Sequence, residues 1–145
     1  MTETQPAILL VEDSEDDVFL FRRALEKAKI TIPLHVARDG QEALDYLAGD
    51  AKFSDRSVNP LPSLMFLDLK LPYVLGFEVL DWIRKQTLLA NIPVVVLTSS
   101  PEDRDRKRAQ ELGAKAYLVK PPNREMLLEI IQLFGAEAEN RPSAQ

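Results

Sequence analysis

The sequence predicts an open parallel α/β sheet with helices on both faces. Five short apolar runs alternate with five longer segments of helical periodicity, and strand-then-helix repeated along a chain is the pattern of a parallel sheet. The runs around Leu64 and Val94 are almost continuously apolar, as expected for strands covered on both sides. A length of 145 residues makes one domain the default and is enough to bury a proper core. The expectation is therefore a single domain over 1–145, with its core at about 7–134 and a small, polar, frayed tail at 135–145.

The predicted strands are Ala7–Val11, Pro33–Ala37, Leu64–Leu67, Pro93–Leu97 and Ala116–Val119. The predicted helices are Glu15–Lys29, Gly40–Ala48, Phe77–Gln86, Glu102–Leu112 and Arg124–Phe134. Ser14 can cap the first helix, and Asp16 and Asp17 complement its dipole. Ser100-Pro101-Glu102-Asp103 places a capping hydroxyl before a proline at the first helical position. Gly113 reads as a helix stop, and Asn123 as the cap that follows Pro121-Pro122. The stretch Gly49–Ser63 reads as a long surface loop. His35, the single histidine, lies between Leu34 and Val36 and reads as a strand residue.

Composition narrows the function classes. The net charge is -5 with charges mixed along the chain, which argues against a general nucleic-acid binder. With no cysteine, neither a disulfide framework nor a thiolate metal site is available. Residues 1–6 lack the order of a signal peptide, and no apolar run approaches the ~20 residues of a membrane span. A cytoplasmic location with no membrane partner is the expectation.

The chemistry sits at strand ends. The first run ends in Glu12-Asp13, the third in Asp68, the fourth in Thr98-Ser99 and the fifth in Lys120-Pro121. Ligands of open parallel sheets bind beyond the carboxyl ends of the strands, so these groups should share one cleft. Three carboxylates ~4 Å apart repel pairwise by about 4 kcal/mol at an effective dielectric near 20, so they must hold protons or a cation. Oxygen ligands and an open site suit Mg²⁺. An acid ending a wholly apolar strand has no structural reason to be there, which makes Asp68 the best nucleophile for a phosphoryl group. Lys120 can supply a point charge and Thr98 a hydroxyl hydrogen bond to that group.

With these residues in place, the chain resembles the receiver domains of two-component signalling, similar to the chemotaxis response regulator. The likeness lies in Ile8-Leu9-Leu10-Val11-Glu12-Asp13, Phe66-Leu67-Asp68-Leu69-Lys70-Leu71-Pro72, Gly76-Phe77-Glu78-Val79-Leu80, Val96-Leu97-Thr98-Ser99 and Tyr117-Leu118-Val119-Lys120-Pro121. It covers roughly residues 7 to 134. The resemblance implies a flavodoxin-like (CheY-like) doubly wound sheet of five strands, order 2-1-3-4-5. It implies that Asp68 is the phosphoacceptor and that Asp13, Asp68 and the backbone carbonyl of Lys70 bind Mg²⁺, with Glu12 reaching it through water. It implies that Thr98 is the switch hydroxyl, Tyr117 the switch aromatic and Lys120 the phosphoryl contact. Within that family, the insertion Gly49–Ser63 and the opening Leu10-Val11-Glu12-Asp13-Ser14-Glu15-Asp16-Asp17 are similar to stand-alone regulators serving phytochrome-type histidine kinases.

Two departures stand out. Leu75 occupies the usual aspartate position before Gly76, which forfeits a helix cap and leaves Tyr73-Val74-Leu75 as an apolar stretch on a loop. Lys70 stands two residues past Asp68, where it is expected to alter phosphoryl lifetime. The expected function is a single-domain response regulator, not an enzyme in its own right. It takes its phosphoryl group from a sensor histidine kinase and signals to a downstream protein. With only a short tail after the receiver, no output module is expected. The apolar residues Met126, Leu127, Leu128, Ile130, Ile131, Leu133 and Phe134 span an arc of roughly 220° on the last helix, more than one packing face needs. A homodimer through that helix is therefore expected. The competing readings are a docking module that is never phosphorylated, an aspartyl-nucleophile phosphatase and a nucleotide or flavin binder. Lys70 stands where the phosphatase needs an acid, and the acidic loop after the first strand would repel a bound phosphate.

Overall fold

The computed structural model describes residues 6–135. Five strands, β1 (Ile8–Val11), β2 (Leu34–Ala37), β3 (Leu64–Leu67), β4 (Val94–Thr98) and β5 (Ala116–Val119), pair in parallel in the order β2-β1-β3-β4-β5. The helices are α1 (Glu15–Lys27), α2 (Gly40–Ala48), α3 (Gly76–Arg84), α4 (Asp103–Glu111) and α5 (Arg124–Ile130). The expected fold and strand order are both present. The expectation for the tail concerns residues 136–145, outside the described residues.

Side-chain alternation along the strands builds two cores. Leu9, Val11, Met65, Leu67, Val94 and Val96 face one side, where Ala43, Tyr46 and Leu47 of α2 and Val79, Leu80 and Ile83 of α3 cover them. Ile8, Leu10, Leu64, Phe66, Val95 and Leu97 face the other, beneath Val18, Phe21 and Leu25 of α1 and Leu127 and Ile130 of α5. Both faces of β1, β3 and β4 are thus buried, which is why these strands read as unbroken apolar runs. Phe21 meets Phe66 edge-on at 4.9 Å between ring centres, tying α1 to the central strand.

Local signals explain most boundaries. The Ser14 hydroxyl accepts the Asp17 backbone N–H at 3.2 Å, and Asn123 accepts that of Met126 at 2.8 Å. Gly113, at φ 100, ends α4 in a conformation that favours glycine. The first helix stops at Lys27, short of the expected Lys29, because Lys29 turns left-handed at φ 58. The last helix is regular only to Ile130 and closes in a π-helical turn over Ile131–Gly135. The expected Ser100 cap is displaced. Glu102 holds the cap position of α4 without a side-chain cap, while the Ser100 hydroxyl accepts the Glu102 N–H at 3.4 Å and donates to Asp105 at 2.7 Å. Pro101 therefore precedes the helix instead of opening it.

The Gly49–Ser63 connection is pinned to α2. Arg56 donates to the carbonyls of Tyr46 and Leu47, both at 2.8 Å, and the Tyr46 hydroxyl donates to that of Pro60 at 2.8 Å. His35 lies in β2 with its ring 6.0 Å from that of Tyr46. Leu75 heads α3 with no side-chain cap, as expected, but the Glu78 carboxylate reaches back to its N–H at 3.1 Å. Tyr73 and Leu75 stand exposed at 88% and 52%, while Val74 packs against the core. Tyr73 sits at φ 69, a costly region for a bulky side chain. Among the described residues, no helix is long and apolar enough to cross a membrane.

Candidate functional site: an acidic cluster bridged by one lysine

Sheet register brings the site together. Val11 pairs with Leu67, so Glu12 and Asp68 leave adjacent strands at the same level. Thr98 pairs with Val119, which puts Lys120 one residue beyond the end of β4. The backbone ladder continues past the strands, through Asp68 N–H to the Val11 carbonyl at 3.2 Å and Lys120 N–H to that of Thr98 at 2.8 Å. The rim therefore inherits the rigidity of the sheet. The Lys120–Pro121 peptide that follows is cis.

Carboxylate oxygens of Glu12, Asp13 and Asp68 all lie within 4.8 Å of one another, with Glu12 and Asp68 buried and Asp13 exposed. Lys120 donates to Asp17 and to Asp68, each at 2.8 Å, and is ion-paired with Glu12 at 2.6 Å. The Lys70 N–H donates to the other oxygen of Asp68 at 3.2 Å, while its side chain stays exposed. Ser14 N–H donates to Glu12 at 3.1 Å.

Burial pushes the Glu12 carboxyl above its ordinary pKa, against the lowering effects of Lys120 and the Ser14 N–H; the neighbouring Asp68 charge raises it further. Burial alone would lower the Lys120 ammonium, but its bonds to Asp17, Asp68 and Glu12 outweigh that, and its pKa rises. Lys120 is thus firmly charged. Three carboxylates contact this single ammonium, with the exposed Asp13 beside Glu12 and Asp68, so acids outnumber the base. The donors are all oxygens and Asp13 is open to solvent, which fits a hard divalent cation that keeps some of its water.

Thr98 is fully buried, and its hydroxyl has no hydrogen-bond partner among the described residues. An unmet buried hydroxyl is costly, and this one lies at the end of the strand next to the one that carries Asp68. Tyr117, the second residue of the edge strand β5, is half-buried and donates its hydroxyl to the Ser100 carbonyl at 2.7 Å. Arg106 of α4 lies 4.6 Å from the Tyr117 ring centre and donates to the Tyr117 carbonyl at 3.3 Å.

Of the residues singled out in the sequence, Glu12, Asp13, Asp68 and Lys120 meet directly. Thr98 lies at the adjacent strand end, and Tyr117 points to the α4 side instead of into the cluster. Sequence reasoning missed Asp17, whose acid was assigned to the helix dipole. The available signal was its place at the third position of a capped helix, where an acid commonly reaches back to the cap N–H. Glu12 occupies that N–H here.

A cleft of this composition at the carboxyl rim of such a sheet defines a receiver. The family model described as "Response regulator receiver domain" matches residues 8–132, and the chain belongs to that family. Its relatives include stand-alone regulators. It is 38% identical to "Response regulator Rcp1" of Synechocystis sp. over 140 residues, spanning 94% of this chain and 93% of the relative. The Mn(2+)-bound structure of Rcp1 superposes with a TM-score of 0.73 at 36% identity, covering 97% of both chains. The bacteriophytochrome response regulator AtBRR gives a TM-score of 0.80 at 44% identity, covering 90% of this chain and 93% of its own. The phosphorylated cyanobacterial phytochrome response regulator RcpA gives 0.75 at 33% identity, covering 97% of both.

Proposed function

We propose that this receiver accepts a phosphoryl group on Asp68 from a sensor histidine kinase and signals by changing the surface that a downstream protein reads. The carrying observation is Asp68 itself: a buried carboxylate at a strand end, 2.8 Å from Lys120 and clustered with Glu12 and Asp13. One Asp68 oxygen attacks phosphorus. The new O–P bond forms as the bond to the donor's imidazole nitrogen breaks, and the imidazole leaves with the electron pair. Lys120 offsets the negative charge gathered on the phosphoryl oxygens, and Thr98 donates its unspent hydroxyl to one of them. Asp13, Asp68 and the Lys70 backbone carbonyl, with Glu12 behind them, would hold Mg²⁺. When bound, the cation supplies further charge neutralisation at the phosphoryl oxygens.

Thr98 and Tyr117 then form the switch. A Thr98 hydroxyl drawn to the phosphoryl group vacates space, and Tyr117 exchanges its bond to the Ser100 carbonyl for an inward position. In this reading the whole of 1–145 is one receiver acting in the cytoplasm, with no catalytic output of its own. The kinase is of the phytochrome type, a reading supported by the names of AtBRR and RcpA. Homodimerisation through α5 belongs to the same proposal. Incubation with acetyl phosphate and Mg²⁺ should add one phosphoryl group by mass, and Asp68→Asn should abolish the adduct. An equal adduct in Asp68→Asn would refute the acceptor assignment.

A further inference from the structure

Three carboxylates hold the Lys120 ammonium: it donates to Asp17 and Asp68 and is ion-paired with Glu12. Two of these, Glu12 and Asp68, belong to the cluster that could hold a cation. The third, Asp17, does not, and nothing in the acceptor reading requires it. Its side chain is about one-third exposed, so the contact is not a by-product of core packing.

The local chain explains how Asp17 reaches the site. Ser14 caps α1 and takes the Asp17 backbone N–H, which fixes the residue at the third helical position. An acid there ordinarily returns to the cap residue's own N–H. In this chain Glu12 already fills that N–H at 3.1 Å. The Asp17 carboxylate is left free to turn toward the rim, where it meets Lys120 at 2.8 Å.

We infer that Asp17 is a positioning residue: it anchors the Lys120 ammonium on the α1 side of the cleft and thereby leaves Glu12, Asp13 and Asp68 available to a divalent cation and an incoming phosphoryl group. The inference deepens the acceptor reading and rests on it for the phosphoryl part alone. A Lys120 without this anchor divides its charge between Glu12 and Asp68 only. It then competes more strongly with a cation for those oxygens. The anchor also gives Lys120 a fixed pivot. Its bond to Asp68 must exchange for one to a phosphoryl oxygen, and Asp17 is the partner that need not change.

The test compares Asp17→Asn with Asp16→Asn, which removes the same charge from the same helical turn at an exposed residue. Mg²⁺ binding to the unphosphorylated protein is titrated by calorimetry. Asp17→Asn should weaken it by about fivefold and Asp16→Asn by less than about twofold, since the anchored ammonium acts at contact distance. In a Lys120→Met background, Asp17→Asn should lose its effect, falling below about twofold, because its influence passes through the lysine. Equal effects of the Asp17 and Asp16 changes, or an undiminished Asp17 effect without Lys120, would overturn the inference. Should Asp17→Asn fold poorly, Asp17→Glu keeps the charge on a longer arm. It should hold the affinity within about twofold of wild type, and a loss of about fivefold would again overturn the inference. Acetyl phosphate labelling runs alongside: absence of any Asp68 adduct in wild type would sink the acceptor reading, while the cation titrations still decide the role of Asp17.

Discussion

At the scale of single residues, burial of polar groups sets the energetics of the site. Among the described residues, the fully buried Thr98 hydroxyl has no protein partner, and an unmet buried hydroxyl costs about 1–3 kcal/mol in typical proteins. Thr98→Val keeps the shape and removes the unmet group. It should raise the unfolding free energy by about 1 kcal/mol in thermal or urea melts of the unphosphorylated protein, and an unchanged or lowered midpoint would contradict the assignment. Lys120 is the opposite case, since it offsets several acids at once. Breaking a buried ion pair costs about 3–5 kcal/mol, and the partial exposure of Asp17 discounts this to about 2 kcal/mol for Lys120→Met at neutral pH. The sign with pH follows from the two raised groups. Glu12 has a folded pKa above its unfolded value, so the fold favours its protonated form; that contribution is present at low pH and lost as pH rises through the folded pKa. The ammonium of Lys120 is also raised, so its contribution is complete below its unfolded value of 10.5 and is lost only as pH climbs above it. Urea melts should therefore show the Lys120→Met penalty shrinking as pH falls through the raised Glu12 pKa, where protonation relieves the orphaned acid. A penalty independent of pH from neutral to about 4 would show that the lysine matters for packing alone.

At the scale of elements, close backbone approach and register set the geometry. A Cβ on Gly76 would lie 2.3 Å from the Asp68 carbonyl oxygen and 2.6 Å from the Leu69 Cα, so the start of α3 presses on the loop that follows Asp68. Both obstacles are backbone and cannot swing aside. Gly76→Ala should cost about 2–4 kcal/mol in denaturant melts and should slow Asp68 labelling; a neutral effect would mean that the loop yields freely. The α4–β5 edge holds the opposite balance, an exposed latch. Arg106 stacks on Tyr117 and binds its carbonyl, a contact worth about 0.5–1 kcal/mol at an exposed site. Arg106→Ala should raise the inward population of Tyr117 by about two- to fivefold, seen in the exchange-averaged ring signals by NMR. Identical spectra would show that Arg106 does not hold Tyr117 in place. Strand ends and helix phases were legible because burial on both faces forces continuous apolar runs, and because caps such as Ser14 and Asn123 act within four residues. Less legible were contacts that depend on which of two local partners wins. Glu12, not Asp17, took the Ser14 N–H, and Pro101 moved ahead of α4 instead of opening it. The positive φ of Tyr73 and the π-helical close of α5 leave no mark in periodicity.

At the scale of the whole molecule, the two cores divide the helices unevenly. Leu127 and Ile130 of α5 are buried, and Ile131 and Phe134 of the π-helical turn after it pack against the same core, which satisfies the face toward the sheet. Leu133 remains 55% exposed, and Met126 and Leu128 are only half-buried on the flanks. Phe19 and Leu20 of the neighbouring α1 are also exposed, at 61% and 42%. Apolar side chains left on two adjoining helices extend the surface that a second copy could cover, and a net charge of -5 spread over the chain opposes self-association only weakly at ordinary salt. If α5 forms a dimer interface, Leu133 lies at its margin and loses exposure on association. Leu133→Glu should then shift sedimentation equilibrium toward monomer by about tenfold in dissociation constant, because it buries a charge in place of an apolar group. The same change should leave the melting midpoint of the isolated chain within about 2 °C, since the residue is exposed there and contributes little to the core. Wild-type sedimentation that stays monomeric at every concentration, both alone and with beryllofluoride as a phosphoryl mimic, would assign the apolar excess of α5 to partners other than a second copy of this chain.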